Sequence, residues 1–393
     1  MLCGLRWAKF TLETMMKKSD AVLFACGAAV SVAMAANAEE GLRIWVGTYS
    51  QHGSEGIYSL TMNPQTGELS APVLAAKADN PSFLALHPNG KTLYAVNETG
   101  RFEGKPVGAV VAFSVDDEAG KLTELNREGT GGAAPCHLRV DPSGKCLVVA
   151  NYSAGNAAVF PITADGRLEK MSQLVQHEGH GANPARQKEP HAHGVTYSPA
   201  GDIVFVPDLG TDKITAYKLD AAKGALTPVE SATASVEPGS GPRHITFNPA
   251  GTFAYSVNEI LATVSQFSWD PATSELKLLR SVSSLPEKRP GNTSAEIAIH
   301  PNGKFLYASN RGHDSIAVFT LDEKTGAPTL IQNCPSGGRA PRSFAFDSAG
   351  KFLLAANQDT DNIAVLKIDS ETGKLSDTGF GAKISAPVCV LFR

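Results

Sequence analysis

Arg243 and His244 open a short apolar hairpin, GPRHITFNPAGTFAYSVNE, and Glu259 closes it. Two other hairpins end in groups of the same kind: Glu296 with Arg311, and His191 and His193 with Asp208. Residues opposite one another in an antiparallel pair have positions that sum to a constant set by the turn, so each set lies at the open end of its hairpin. A neutral imidazole or an ionised carboxylate takes a proton from water, and a guanidinium holds an anionic group or a developing oxyanion. Brought into one concavity, these groups suit hydrolysis of an activated carbonyl. The long polar loop QHEGHGANPARQKE, which carries Arg186, leads into the His-x-His segment and is placed to cover such a mouth. His191 and His193, two apart on an extended segment, are expected to point the same way.

Each group also has a plainer reading. Arg243–Glu259 and Glu296–Arg311 have the spacing of cross-strand ion pairs. Asn97, Asn151 and Asn357, which recur at the end of second strands, suit turn capping. The His-x-His pair joined by His177 and His180 is a conceivable metal set, but no Cys-x-x-Cys or His-Glu-x-x-His accompanies it. No Gly-x-Ser-x-Gly elbow points to a catalytic serine, and no phosphate-cradling or dinucleotide fingerprint stands in a βαβ context. The expectation is therefore chemistry without a metal or other cofactor.

The elements that position these residues repeat. The hairpin recurs at intervals of about 50 residues, with turn glycines at Gly90, Gly144, Gly201, Gly251, Gly303 and Gly350. Proline sets φ early in several of these turns, and glycine accepts the left-handed conformation. A second hairpin follows each first one, with strands such as GAVVAFSVD and GKLTELNR. Four strands per period make one propeller blade. The mature N-terminus, RIWVGTYS onward, supplies three strands and the C-terminal APVCVLF a fourth. The expected fold is all-β: one seven-bladed β-propeller of four-stranded blades, closed where the N- and C-terminal segments share a blade. In that architecture the first strand of each blade lines the axis, so hairpin tips from different blades converge on one opening.

The propeller is expected over residues 39–393. Residues 1–38 read as an upstream extension and a secretory signal: Lys17 and Lys18, the apolar run AVLFACGAAVSVAMA, and ANA ending at Ala38. Cleavage after Ala38 implies a periplasmic or secreted protein with no membrane span in the mature chain. A formal net charge of -4 over 393 residues, 19% of them charged, offers no basic face for nucleic acid. Cys136, Cys146, Cys334 and Cys389 are too few for a disulfide scaffold and read as small buried apolar residues.

Three stretches, RQKEPHAHGVTYSPAGDIVFVPDLGTDKI, GSGPRHITFNPAGTFAYSVNE and AEIAIHPNGKFLYASNRGHDSIAVF, resemble the seven-bladed lactonase family. That family includes propeller-type 6-phosphogluconolactonases and the fungal carboxy-cis,cis-muconate lactonizing enzyme. The resemblance spans about residues 42–392 and implies lactone ring opening or closing without a nucleotide cofactor. By motif, a histidine, two arginines and a glutamate of the family's site carry over to His191 or His193, to Arg243 with Arg311, and to Glu259. Arg186 matches a position near the substrate mouth. Asp208, His244 and Glu296 fall in the same blocks as candidate substrate contacts. The implied partner is a small sugar lactone, and export favours an unphosphorylated one such as glucono-1,5-lactone. The alternatives are a carboxymuconate cyclase with the same site, and a non-enzymatic ligand-binding propeller.

Overall fold

The six turn glycines all take positive φ, Gly251 at 67° for example, and each sits between two paired antiparallel strands. The structure, a computed structural model, describes residues 41–116 and 118–393. The expected export signal, its cleavage point after Ala38 and the first two residues of the expected domain lie outside the described residues.

Among the described residues the strands form seven sheets arranged as successive blades. Six have four strands, as the repeat requires. The blade that follows the long loop differs: its innermost strand is only Thr196–Tyr197, and Ala234–Ser235 adds a fifth strand beside Lys213–Asp220. Ring closure is as expected. Pro387–Phe392 pairs antiparallel with Leu42–Thr48, setting Val390 against Val46 and Cys389 against Gly47. Closure within one blade covers the inner edge of Leu42–Thr48, which would otherwise stand unpaired. No helix among the described residues is long and apolar enough to cross a membrane.

Neighbouring blades bury their apolar faces against each other. Phe205 and Phe247 come from adjacent blades and both pack on Trp269, with Phe205 edge-on at 5.4 Å. A recurrent aromatic in the second strand ties four of these pairs. Trp45 Nε1 donates to the Gly120 carbonyl, and Tyr94, Tyr255 and Tyr307 donate to those of Gly166, Gly326 and Gly373. The buried polar tip is thereby satisfied by the outer turn of the next blade. Gly326 shows why that turn is glycine: φ is 64°, and a Cβ would stand 2.6 Å from the Phe253 ring. The four cysteines are free and buried, as expected of apolar packing residues.

Candidate active site

The innermost strands obey the two-residue period of a β-strand, and one set of alternate residues faces the axis. Phe83 and Ala85, His137 and Arg139, His244 and Thr246, Glu296 and Ala298, and Ser343 and Ala345 line one axial cavity of about 410 Å³. At the open ends this alternation breaks. Register shifts fall between Pro135 and His137, Pro242 and His244, Ser294 and Ile297, and Pro341 and Ser343. A bulge re-aims the side chain it carries. It lets Arg243 turn to Glu259 while His244 stays in the axial row.

The bulged residues and the residues just after the second strands meet at a second cavity, of about 280 Å³. It is lined by Glu98, Cys136, Tyr152, Arg186, His193, Glu259, Arg311 and Arg342. Glu259 is its centre. Arg186 Nη2 donates to Oε1 at 2.7 Å, Arg311 Nη2 lies 2.9 Å from Oε2, and Arg243 Nε lies 3.2 Å from Oε2. Burial alone would raise the Glu259 pKa; the guanidiniums of Arg311, Arg243 and Arg186 outweigh it and hold the carboxyl at about 2. Burial lowers Arg311 to about 10, which still leaves it charged at neutral pH. The neighbourhood holds four guanidiniums against the two carboxylates of Glu98 and Glu259. Arg243 Nε and Arg311 Nε are both buried without an aligned acceptor.

The two histidines flank one ring. His191 stacks on Tyr152 with centroids 4.6 Å apart, and His193 meets the same ring edge-on at 5.3 Å. The segment is irregular rather than extended strand, since regular pairing begins at Thr196. His193 lines the cavity and is buried; burial, with Arg243 and His244 nearby, keeps its pKa well below the usual imidazole range. His191 is half-buried, and its Nδ1 lies 3.1 Å from the Tyr152 carbonyl. A carbonyl only accepts, so Nδ1 carries a proton that it donates there.

Five candidates do not line this cavity: Arg243 and His191 stand behind Glu259 and Tyr152, and three others serve elsewhere. His244 and Glu296 line the other one, joined by a 2.8 Å bond from His244 Nδ1 to Glu296 Oε1. The Glu296–Arg311 ion pair does not form, because the bulge at Ala295–Glu296 turns Glu296 down the axis while Arg311 reaches Glu259. Asp208 is fully buried and holds backbone instead: Oδ1 accepts from the amides of His191, Gly210 and Thr211, and Oδ2 takes His177 Nδ1 at 2.7 Å. One carboxylate thus pins both ends of the long loop. Gln187 fastens its middle, donating to the Leu209 carbonyl and to Asp212. Arg186 is presented to Glu259 from a braced loop. His177 and His180 do not converge, the latter lying exposed against the Gly181 carbonyl.

The recurrent asparagines are structural. Asn151 and Asn357 donate to the carbonyls of Thr130 and Ser336 from buried positions. In four blades the residue that follows the last Asn of the second strand reaches the mouth, Arg311 after Asn310 among them. Glu98 follows Asn97 and Tyr152 follows Asn151, as Glu259 follows Asn258, and Arg342 in APRSF aligns with Arg243 in GPRHI. Glu98 accepts from Tyr49, over whose ring the Arg342 guanidinium lies at 5.1 Å. Glu98, Tyr152 and Arg342 were absent from the sequence expectations, yet aligning the repeats position by position picks them out.

The family model described as lactonase, 7-bladed beta-propeller, matches residues 43–392. The chain belongs to this lactonase family. It is 38% identical over 304 residues to the 6-phosphogluconolactonase of Bacillus subtilis, which covers 77% of this chain and 84% of that one. The 6-phosphogluconolactonase of Formosa agariphila is 37% identical over 308 residues, 77% of this chain and 86% of that one. Among solved structures, the periplasmic gluconolactonase of Pseudomonas aeruginosa matches with a TM-score of 0.83 and 31% identity, over 89% of this chain and 98% of that one. Family membership makes the chain a carboxylic ester hydrolase of the lactonase type.

Proposed function

We propose that the chain hydrolyses a sugar lactone, glucono-1,5-lactone or its 6-phospho form, to the aldonic acid without a metal. The observation that carries this reading is the Glu259 cluster: three guanidiniums on one ionised carboxylate, two of their Nε groups without an aligned hydrogen-bond acceptor, beside the neutral imidazole of His193. A cavity of about 280 Å³ suits one small ligand. Water attacks the lactone carbonyl and its proton passes to His193. Arg311 and Arg342 hold the tetrahedral oxyanion, the ring C–O bond breaks, and the ring oxygen takes the proton back from His193. Glu259, at about 2, is too weak a base for this transfer. Its work is to fix the three arginines.

The excess of guanidinium suits an anionic substrate or product. Export after Ala38 favours plain glucono-1,5-lactone, because phosphorylated sugars are made where kinases act. The test is lactone opening by the processed chain on plain and phosphorylated gluconolactone, with chelator present. Acceleration above the spontaneous rate on either is expected. No acceleration on either, or turnover of carboxymuconate instead, would overturn the assignment. Export is checked by fractionation and by the mature N-terminus, expected at Glu39.

A further inference from the structure

Two charged groups of the mouth cavity, Glu98 and Arg342, have hydrogen-bonding capacity that the protein leaves unused. Glu98 follows Thr92–Asn97, and Arg342 stands in Pro341–Phe346; both line the cavity with Glu259 and Arg311. Tyr49, next after Leu42–Thr48, shares its hydroxyl proton between Glu98 Oε1 at 3.0 Å and Oε2 at 2.9 Å. Burial raises the Tyr49 pKa, so that proton stays in place. Buried Ser82 donates a second one, to Oε2. A carboxylate offers about four acceptor sites, so about two remain. The backbone behind it is fixed as well: the Glu98 amide donates to the Asn80 carbonyl at 3.0 Å, and Asn80 Nδ2 donates to the Glu98 carbonyl at 3.4 Å.

Arg342 is the converse. Its guanidinium lies over the Tyr49 ring at 5.1 Å and makes no aligned hydrogen bond and no ion pair with any described residue. It feels the charges of Glu98 and Glu259, while its N–H groups lack a protein acceptor. Spare acceptors beside spare donors match one kind of group: a hydroxyl, whose hydrogen Glu98 takes while its oxygen accepts from Arg342. A carboxylate or phosphate brings lone pairs only and meets Glu98 as a like charge. A bare methylene leaves both charged groups desolvated and unsatisfied.

We propose that Glu98, held by Tyr49 and Ser82, is a specificity residue that reads the hydroxyl groups beside the lactone carbonyl, so that the mouth selects a polyhydroxylated lactone over a bare or polycarboxylated one. The placement follows from the roles of its neighbours. With the carbonyl oxygen at Arg311 and Arg342 and the ring oxygen served by His193, the other flank of the carbonyl is left for Glu98. In a sugar lactone that flank carries a hydroxyl. The effect on turnover rests on the lactonase reading above; the preference for binding a neutral polyol does not.

The experiment compares the wild type with Glu98→Gln, which keeps the shape of the side chain, removes its charge and turns one acceptor oxygen into a donor. The first readout is kcat/KM on glucono-1,5-lactone and on δ-valerolactone, the same ring with and without hydroxyls. The substitution should cost glucono-1,5-lactone about 10- to 100-fold more than δ-valerolactone, the worth of a hydrogen bond to a charged group. Equal losses on both would make Glu98 a general support and overturn the proposal, as would no loss on either. The second readout is calorimetric titration with gluconolactam and δ-valerolactam, the matching lactams. Gluconolactam should bind the wild type more tightly than δ-valerolactam does and weaken about tenfold or more in Glu98→Gln. No binding to the wild type, or binding that the substitution leaves unchanged, would overturn the proposal. If neither lactone is opened, the function reading falls and the lactam titration still decides the role of Glu98. If Glu98→Gln shows no cooperative urea transition, Tyr49→Phe takes its place, keeping the ring beside Arg342 and removing the hydroxyl. The preference for glucono-1,5-lactone should then fall about threefold or more, and an unchanged preference would overturn the proposal.

Discussion

Replacing Glu259 with Gln removes a buried carboxylate shared by three guanidiniums, of which Arg186 is partly exposed. Arg186, Arg243 and Arg311 all lie within 3.2 Å of that carboxylate. Truncating one side of a buried ion pair costs about 3–5 kcal/mol, because the charges left behind stay desolvated. Linkage gives an independent figure. Lowering the carboxyl from 4.5 to about 2 on folding corresponds to about 3 kcal/mol of stability at neutral pH. The sign follows from the depressed pKa: this contribution is fully present above the unfolded value and is lost as pH falls through the folded one. The assay is urea unfolding of the wild type and Glu259→Gln at pH 7, 5, 4 and 3. The difference between them should be about 3 kcal/mol at pH 7, hold to about pH 5, and shrink by about half at pH 3. Comparing the two chains at each pH cancels every other carboxylate. A difference below about 1 kcal/mol at pH 7, or one that does not change between pH 7 and pH 3, would refute the claim that the arginines are held by this carboxylate.

Two other predictions address the loop and the proton carrier. Asp208→Asn loosens the anchors at His177 and His191 and so frees Arg186; KM should rise about tenfold while kcat changes less than about threefold, and a loss confined to kcat would argue against the clamp. His193→Asn should lower kcat by about 10²–10⁴, the usual worth of a positioned base, and His191→Asn by less than about tenfold; the reverse order would transfer the proton to His191 Nε2.

Much of this molecule follows from local pattern. Alternating apolar residues around Gly251 and its five counterparts specify hairpins, because glycine alone takes φ near 67° at no steric cost. The period of about 50 residues counts the blades, and APVCVLF at one end with RIWVGT at the other closes the ring. Grouping of Arg243, Glu259 and Arg311 also follows, since hairpin tips of an axial strand have one place to converge. What a pattern of period two does not contain is the bulge. One extra residue at Pro242–His244 and at Ser294–Ile297 reverses which neighbour faces which cavity. That is why His244, adjacent in sequence to Arg243, and Glu296 belong to the opposite cavity, and why Glu296 and Arg311 part company. Asp208 occupies the position of the turn asparagines and turns backward onto three amides, a choice set by the loop it anchors. The chain's own order determined the ring and the residue types at its mouth. Tertiary structure decided their direction, because side-chain direction at a bulge depends on contacts with residues from other blades.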